Sequence, residues 1–198
     1  MLFPKRCPSC GAVGAAPCDR CARSLGRATS AISVAGIASC RPAFVYDERV
    51  RTLLLALKYR NRRDALAYLA GQIAAVLEVE ADVVTWVPTT GARRRARGFD
   101  QAELLARAVG RGIGVPVRSL LYRVDGQAQT GRDAQARRIG PEFSVRRRRP
   151  IGASVVLIDD IGTTGATLEA AARVLAGAGW AEIHARTVAW TPRRGAGR

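Results

Sequence analysis

The sequence predicts an α/β fold, a mostly parallel sheet flanked by helices, with a small cysteine-rich module ahead of it. Three observations predict it. The run VVLIDDIGTTGAT, Val155 to Thr167, reads as buried strand, turn and helix start in immediate succession. Short β-branched runs alternate with segments of helical period along most of the chain, the pattern that builds parallel sheets with helices on their faces. Cys7-x-x-Cys10 and Cys18-x-x-Cys21 place four of the five cysteines in two knuckles.

Two such pairs let four thiolates converge tetrahedrally on one Zn²⁺, with Gly11 easing the turn after the first pair. A disulfide reading requires an oxidising compartment, which nothing in the chain indicates. A redox CxxC sits at a helix start in a βαβ unit, and that context is missing. Residues 1–26 therefore read as a zinc-knuckle module, too small for a core without metal, with Cys7, Cys10, Cys18 and Cys21 as ligands of a closed structural site. Residues 27–42 are small and weakly patterned and read as a connector. Cys40, within them, reads as a small buried hydrophobe or a loop residue.

Residues 43–190 carry the α/β pattern. Phe44–Tyr46 is a short strand, and Asp47 can cap the helix in which Val50, Leu53, Leu54 and Leu57 follow helical spacing. A second helix begins near Asp64 with Leu66, Leu69, Ile73 and Leu77. A strand over Val83–Val87 ends at Pro88, a helix over Asp100–Val109 has Asp100 as its cap, and Val117–Leu121 reads as a strand. From Tyr122 to about Glu142 no period survives, which in a compact domain marks a functional loop or disorder. Phe143–Val145, the motif strand and its helix, and a last strand over Ile183–Trp190 complete the domain. Residues 191–198 read as a flexible tail.

The chain is 48% hydrophobic, enough for a core, yet no apolar run reaches the roughly 18 residues of a membrane span. With no membrane insertion and no apolar leader in MLFPKRCPSC, the cytoplasm is the expected compartment. A net charge of +16, nearly all from arginine, attracts polyanions, either nucleic acid or a polyphosphate substrate. Where the arginines cluster says more than their total.

At the motif strand, the turn N–H groups and the helix dipole face a phosphate, Gly165 allows close backbone approach, and the threonines add donors. Asp159 and Asp160 would repel a bare phosphate and suit the two hydroxyls of a ribose. Together they describe a ribose 5-phosphate site. The same residues also suit a parallel strand ending in solvated carboxylates. A Walker B strand is the sharper rival, but the chain has no GxxxxGK[ST] run. A second constellation, VPTTGARRRARGFDQ from Val87 to Gln101, is again a strand end, a Thr- and Gly-containing turn, arginines and a helix. Ligands gather at the carboxyl ends of strands in open α/β sheets, so the two turns can face one crevice, with Arg93, Arg94, Arg95 and Arg97 placed to neutralise a pyrophosphate.

The acidic pair and TTG turn resemble the phosphoribosyltransferases. The resemblance implies a type I phosphoribosyltransferase fold in which Asp159 and Asp160 hold the ribose hydroxyls of phosphoribosyl pyrophosphate (PRPP). It implies that Thr163, Thr164, Gly165, Ala166 and Thr167 bind the 5-phosphate. It also implies that Thr89, Thr90 and Gly91, with Arg93, form the pyrophosphate turn. Arg94 and Arg97 then join the acidic pair as catalytic candidates, Mg²⁺ accompanies PRPP, and Gln129, Arg132 and Arg137 belong to a loop that closes over the site. From Cys7 to about Trp190 the chain is similar to the ComF/GntX-type proteins, through the knuckles, YDERVRTLLLALKYR (Tyr46–Arg60) and the RGFDQA run. It departs from them at Asp100, where Asn is commoner, at Gly140, where Asn is expected, and at Gly162, where a larger residue is usual.

Two function classes follow. One is a PRPP-dependent transferase whose acceptor the sequence does not name. The other is an accessory protein of DNA uptake, which that resemblance implies, gripping single-stranded DNA or a competence helicase through the knuckles, the basic turn and the Arg146–Arg149 run. Against the second, only 6% of the residues are aromatic, and none is interleaved with the arginines. His184, the only histidine, alternates with apolar residues, and Trp86 and Trp190 suit packing better than base stacking.

Overall fold

The computed structural model describes residues 5–59, 65–124, 141–146 and 153–192. Four parallel strands form the main sheet in the order β1 (Ser39–Val45), β6 (Trp180–Trp190), β5 (Ala153–Gly162), β2 (Val83–Trp86). Because all four run the same way, their carboxyl ends share one edge, which is where the acidic pair and the Val87–Thr90 turn emerge. The chain begins with a short helix, α1 (Asp19–Arg23), inside the cysteine module.

The central strand explains the layering. Val155, Val156, Leu157 and Ile158 are all fully buried, as expected of a strand covered on both faces. Alternate side chains leave on opposite faces. Val156 and Ile158 join the core beneath helices α2 (Glu48–Tyr59), α3 (Leu66–Ala74) and α5 (Gln101–Ile113). Val155 and Leu157 join the core beneath α6 (Ala166–Gly177), whose Leu168, Ala171, Ala172 and Leu175 are buried as their spacing predicts. Asp47 caps α2 as expected, its Oδ1 accepting from the Val50 N–H at 2.9 Å.

The strand expected over Val117–Leu121 is displaced. Val84 N–H donates to the Pro116 carbonyl and Arg118 N–H to that of Val84, so Val117 makes a single parallel bridge to the edge strand β2. The chain then leaves the sheet. Its strand is β3 (Leu121–Arg123), paired antiparallel with β4 (Phe143–Val145) as a separate ribbon. Strand β1 starts at Ser39, five residues before Phe44, and places Cys40 in the core, where burial pushes its thiol up to about 11. Cys40 is therefore a protonated, small apolar filler.

Arg186 is the least expected core residue. It lies in β6 with no exposed surface, and burial draws its guanidinium down to about 10. Nε donates to the Val76 carbonyl at 2.8 Å, Nη2 donates to that of Leu77, and Nη1 reaches the Ser39 carbonyl and hydroxyl at 3.1 Å each. These acceptors include carbonyls just past the end of α3, which the helix itself cannot satisfy. One side chain thus ties the α3 terminus to the edge strand. His184 is buried in the same strand, its Nδ1 2.9 Å from Ser39 Oγ, three register positions before the level of Asp159.

The Gly162 departure has a packing cause. A Cβ at Gly162 would fall on the Trp190 ring, inside van der Waals contact of Cε3 and Cζ3 and 2.8 Å from Cδ2. The indole, 8% exposed, occupies the space that a side chain at position 162 would need. Gly162→Ala is expected to cost about 1–3 kcal/mol of stability through overpacking. Urea denaturation would measure this, and an unchanged midpoint would show that the ring yields freely.

Candidate active site

The acidic pair ends β5 in a conformation its own backbone helps to hold. Asp160 N–H donates to Asp159 Oδ1 at 2.8 Å, and Ile161 N–H to Asp160 Oδ1 at 2.7 Å. Both residues line the cleft described below. The turn Thr163–Gly165 follows, with Gly165 at φ 87°, a left-handed conformation that glycine adopts without penalty. Its missing side chain also admits Val34, whose Cγ2 would stand 3.2 Å from a Cβ there. Ala166 N–H donates to Thr164 Oγ1 at 3.3 Å as α6 begins, leaving the first-turn donors beside the acidic pair.

The second turn follows β2. Thr90 caps a seven-residue helix, α4 (Gly91–Arg97), its hydroxyl accepting from Arg93 N–H at 3.2 Å. The basic run expected as turn is therefore helical, and the 3.6-residue period sorts its arginines. Arg93 and Arg97, four apart, share a face and line the cleft. Arg94 is instead 3.7 Å from Glu103, a carboxylate also held by Arg107 at 2.9 Å.

Asp100 fastens this turn to α5. Oδ2 accepts from Thr89 N–H at 2.8 Å, while Oδ1 accepts from Ala102 and Glu103 N–H at 3.0 and 3.4 Å. Burial raises its carboxyl above the ordinary range, against the pull of those three donors. It caps α5 as expected and in addition fixes the turn at Thr89.

The turn after β2, the end of β5 and the first turn of α6 line one cleft of about 200 Å³. Thr89, Arg93 and Arg97 line it from one side, and Asp159, Asp160 and Thr167 from the other. Two residues join them that sequence reasoning missed. Arg123 comes from the β3–β4 ribbon, its guanidinium 5.6 Å from the Phe143 ring centre, and nothing local in the sequence signals it. Gln101, next to the cap, is buried at 4% exposure; its place directly after Asp100 was the available signal. Thr90, Gly91, Thr163, Thr164, Gly165 and Ala166 are not among the residues lining the cleft: Thr90 caps α4 and Gly91 opens it, Thr163–Gly165 form the turn after β5, and Ala166 opens α6. Gln129, Arg132 and Arg137, with Gly140, lie outside the described residues.

The knuckle module brings its thiols together. Cys7 N–H donates to the Ala12 carbonyl at 2.7 Å and Gly11 N–H to that of Cys7 at 2.9 Å, closing the first knuckle, while Cys18 and Cys21 flank and enter α1. All four sulfurs lie within 4.8 Å of one another, and those of Cys10 and Cys18 are 3.6 Å apart. A tetrahedron with Zn–S bonds of about 2.3 Å has edges of about 3.8 Å, so the spacing fits a metal, whereas a disulfide needs about 2.05 Å. Burial alone would raise the Cys7 thiol, but N–H donors of Cys18, Cys10 and Ser9 outweigh it and bring it to about 6. Cys21 is pushed up to about 12 by burial and by the neighbouring sulfurs. Divided charge among crowded thiols is what a divalent cation relieves.

Residues 95–198 match the family described as phosphoribosyl transferase domain. The chain is 29% identical over 140 residues to the competence protein ComFC of Bacillus subtilis (strain 168), a match covering 68% of this chain and 57% of that relative's length. Among solved structures, glutamine PRPP amidotransferase from B. subtilis aligns over 63% of this chain and 26% of its own, at 26% identity and a TM-score of 0.46. Adenine phosphoribosyltransferase from Thermoanaerobacter pseudethanolicus aligns over 70% and 86%, at 16% identity and a TM-score of 0.45. No helix among the described residues is long and apolar enough to cross a membrane.

Proposed function

Because the chain belongs to the phosphoribosyl transferase domain family, we propose that its cleft binds PRPP and supports displacement of pyrophosphate at the anomeric carbon by an acceptor. One observation carries this reading: the acidic pair and Arg93 with Arg97, 62 residues or more apart in sequence, line a single cleft. Asp159 and Asp160 accept the ribose hydroxyls, and the Thr163–Thr167 turn takes the 5-phosphate. Thr89, Arg93 and Arg97 face the pyrophosphate. The transition state resembles an oxocarbenium ion, so stabilising charge on the leaving group matters more than a strong base. Arg93 and Arg97 supply that charge from a helix face, with Arg123 completing the basic wall.

The residues present fit a Mg²⁺ carried in with the substrate, since two carboxylates edge the cleft and Mg²⁺ keeps several of its waters. When bound it supplies Lewis-acid neutralisation of the leaving pyrophosphate. Calorimetric titration of PRPP should give saturable one-site binding with Mg²⁺ and weaker binding in EDTA. A flat titration in both conditions would end this reading.

A second reading, single-stranded DNA binding in DNA uptake, is favoured by the ComFC relative and by one structural contact. The folded chain sets Arg146 5.5 Å from the ring centre of Tyr122, which is 41% exposed. An exposed aromatic beside a cation is the pairing on which bases stack. Tyr122→Ala is expected to weaken single-stranded DNA binding by about 1–3 kcal/mol. Arg146→Ala should lower the salt slope by roughly one unit. Fluorescence anisotropy across salt measures both, and PRPP titrations of the two variants should match wild type. Arg97→Ala should do the reverse, reducing PRPP binding and sparing the slope.

A further inference from the structure

The helix that carries two of the cleft arginines buries no residue of its own. Arg93 and Arg97 nevertheless keep one face of α4 toward the cleft. Its placement is therefore set by polar ties and by the joints at its two ends. Asp100 closes those joints on each other: Oδ2 accepts from Thr89 N–H at 2.8 Å, enclosing α4 between the two partners. Gly98, left-handed at φ 76°, turns the chain back toward that bond. Oδ1 meanwhile accepts from Ala102 and Glu103 N–H at 3.0 and 3.4 Å. Those donors open α5, which is anchored in the core through Ala102, Leu105, Ala106 and Val109. One carboxylate thus clasps an unanchored helix to an anchored one. The Arg94–Glu103 pair, at 3.7 Å with Arg94 exposed, adds little to that tie.

Both oxygens accept at once, from donors in two different elements, which an ionised carboxylate does with its full charge. An amide has one acceptor oxygen and would turn its NH₂ group toward one set of those N–H donors. Protonation likewise puts a donor on one oxygen. The position is thus more demanding than a helix cap, for which Asp, Asn and Ser serve about equally. We propose that Asp100 is a positioning residue for the pyrophosphate turn, its ionised carboxylate clasping Thr89 to α5 and so holding Arg93 and Arg97 toward the leaving group. The inference rests on the PRPP reading and adds to it a residue that makes the basic wall acid-sensitive. Burial raises the Asp100 carboxyl above the ordinary range, and Glu103 raises it further, against the three N–H donors. The charged groups sharing the cleft with it are Arg93 and Arg97 from α4, Asp159 and Asp160 from β5, and Arg123 from the ribbon. The clasp is complete above that raised value and is lost as pH falls through it.

Asp100→Asn and Asp100→Ser in the full chain test this, since both keep a good cap on α5 and neither can accept on both sides. Pyrophosphate with Mg²⁺, which contains neither ribose nor base, is the calorimetric probe. At neutral pH each variant is expected to bind it about tenfold more weakly than wild type, equivalent to about 1.4 kcal/mol. Amide exchange at Thr89 should quicken in the variants, while the Leu105 amide within α5 keeps its protection. As pH is lowered the gap in affinity should close, because wild type loses the same clasp. Taking the ratio of affinities at each pH cancels protonation of the probe itself. A gap that stays constant across pH, or variants that bind as tightly as wild type, overturns the inference alone. So does equal loss of protection at Leu105, which would make Asp100 a helix cap and nothing more. Failure of wild type to bind either pyrophosphate or PRPP overturns the PRPP reading together with this one.

Discussion

Asp159→Asn combined with Asp160→Asn is expected to weaken PRPP binding by about 3–6 kcal/mol, two charge-assisted hydrogen bonds at about 1.5–3 kcal/mol each. The fold should survive. The internal bonds of the pair run from Asp160 N–H to Asp159 Oδ1 and from Ile161 N–H to Asp160 Oδ1, and an asparagine carbonyl still accepts each of them, though without the charge. The strand beneath is held by Val155 to Ile158, which the change does not touch. Calorimetry beside thermal melting separates the two effects. Equal PRPP affinity in wild type and double variant would remove the ribose assignment, and a collapsed melting transition would make the pair structural.

Loss of the metal from the knuckle module should have the largest local effect. Structural zinc in small modules is worth about 10–16 kcal/mol of apparent binding free energy. Purified protein is expected to hold about one Zn²⁺ per chain by elemental analysis, and Cys10→Ser to lose it. Hydrogen exchange should then show protection lost over residues 5–26 while the sheet keeps its own. The module's ties to the domain are few: Leu25 reaches the core, Val45 N–H donates to the Gly26 carbonyl, and Arg49 Nη1 to that of Ser24 at 2.8 Å. Protons compete with the metal for the thiolates, so the module should release metal and loosen as the solution is acidified. Metal-free protein with an ordered N-terminus, or a native Cys7–Cys21 disulfide, would contradict the zinc assignment.

The local grammar of this chain was legible because its causes are local. Asp47 and Asp100 cap the helices that follow them through bonds spanning two or three residues. The apolar run of β5, the helical spacing in α6 and the paired knuckles each need only a few neighbours to be recognised. Even where the strand near residue 117 was misplaced, the error was one of pairing and not of apolar character. Val117 is β-branched and bridges β2, but an edge of four residues offers it one partner.

By itself, then, the sequence determined the parallel α/β sheet, the cysteine knuckles, the acidic pair and the two turns, since strand period, capping and metal-ligand spacing are written within short windows. Only the tertiary structure decided which arginines serve the cleft, because helical winding turns Arg93 and Arg97 inward and hands Arg94 to Glu103. It alone brought Arg123 to the cleft from a ribbon, buried Gln101 and Arg186, and laid Trp190 across Gly162. Most of these depend on packing between elements distant in sequence, and Gln101 on the depth at which the sheet seats its helix. Burial and long-range contact are properties of the folded whole, which no periodicity in a single chain records.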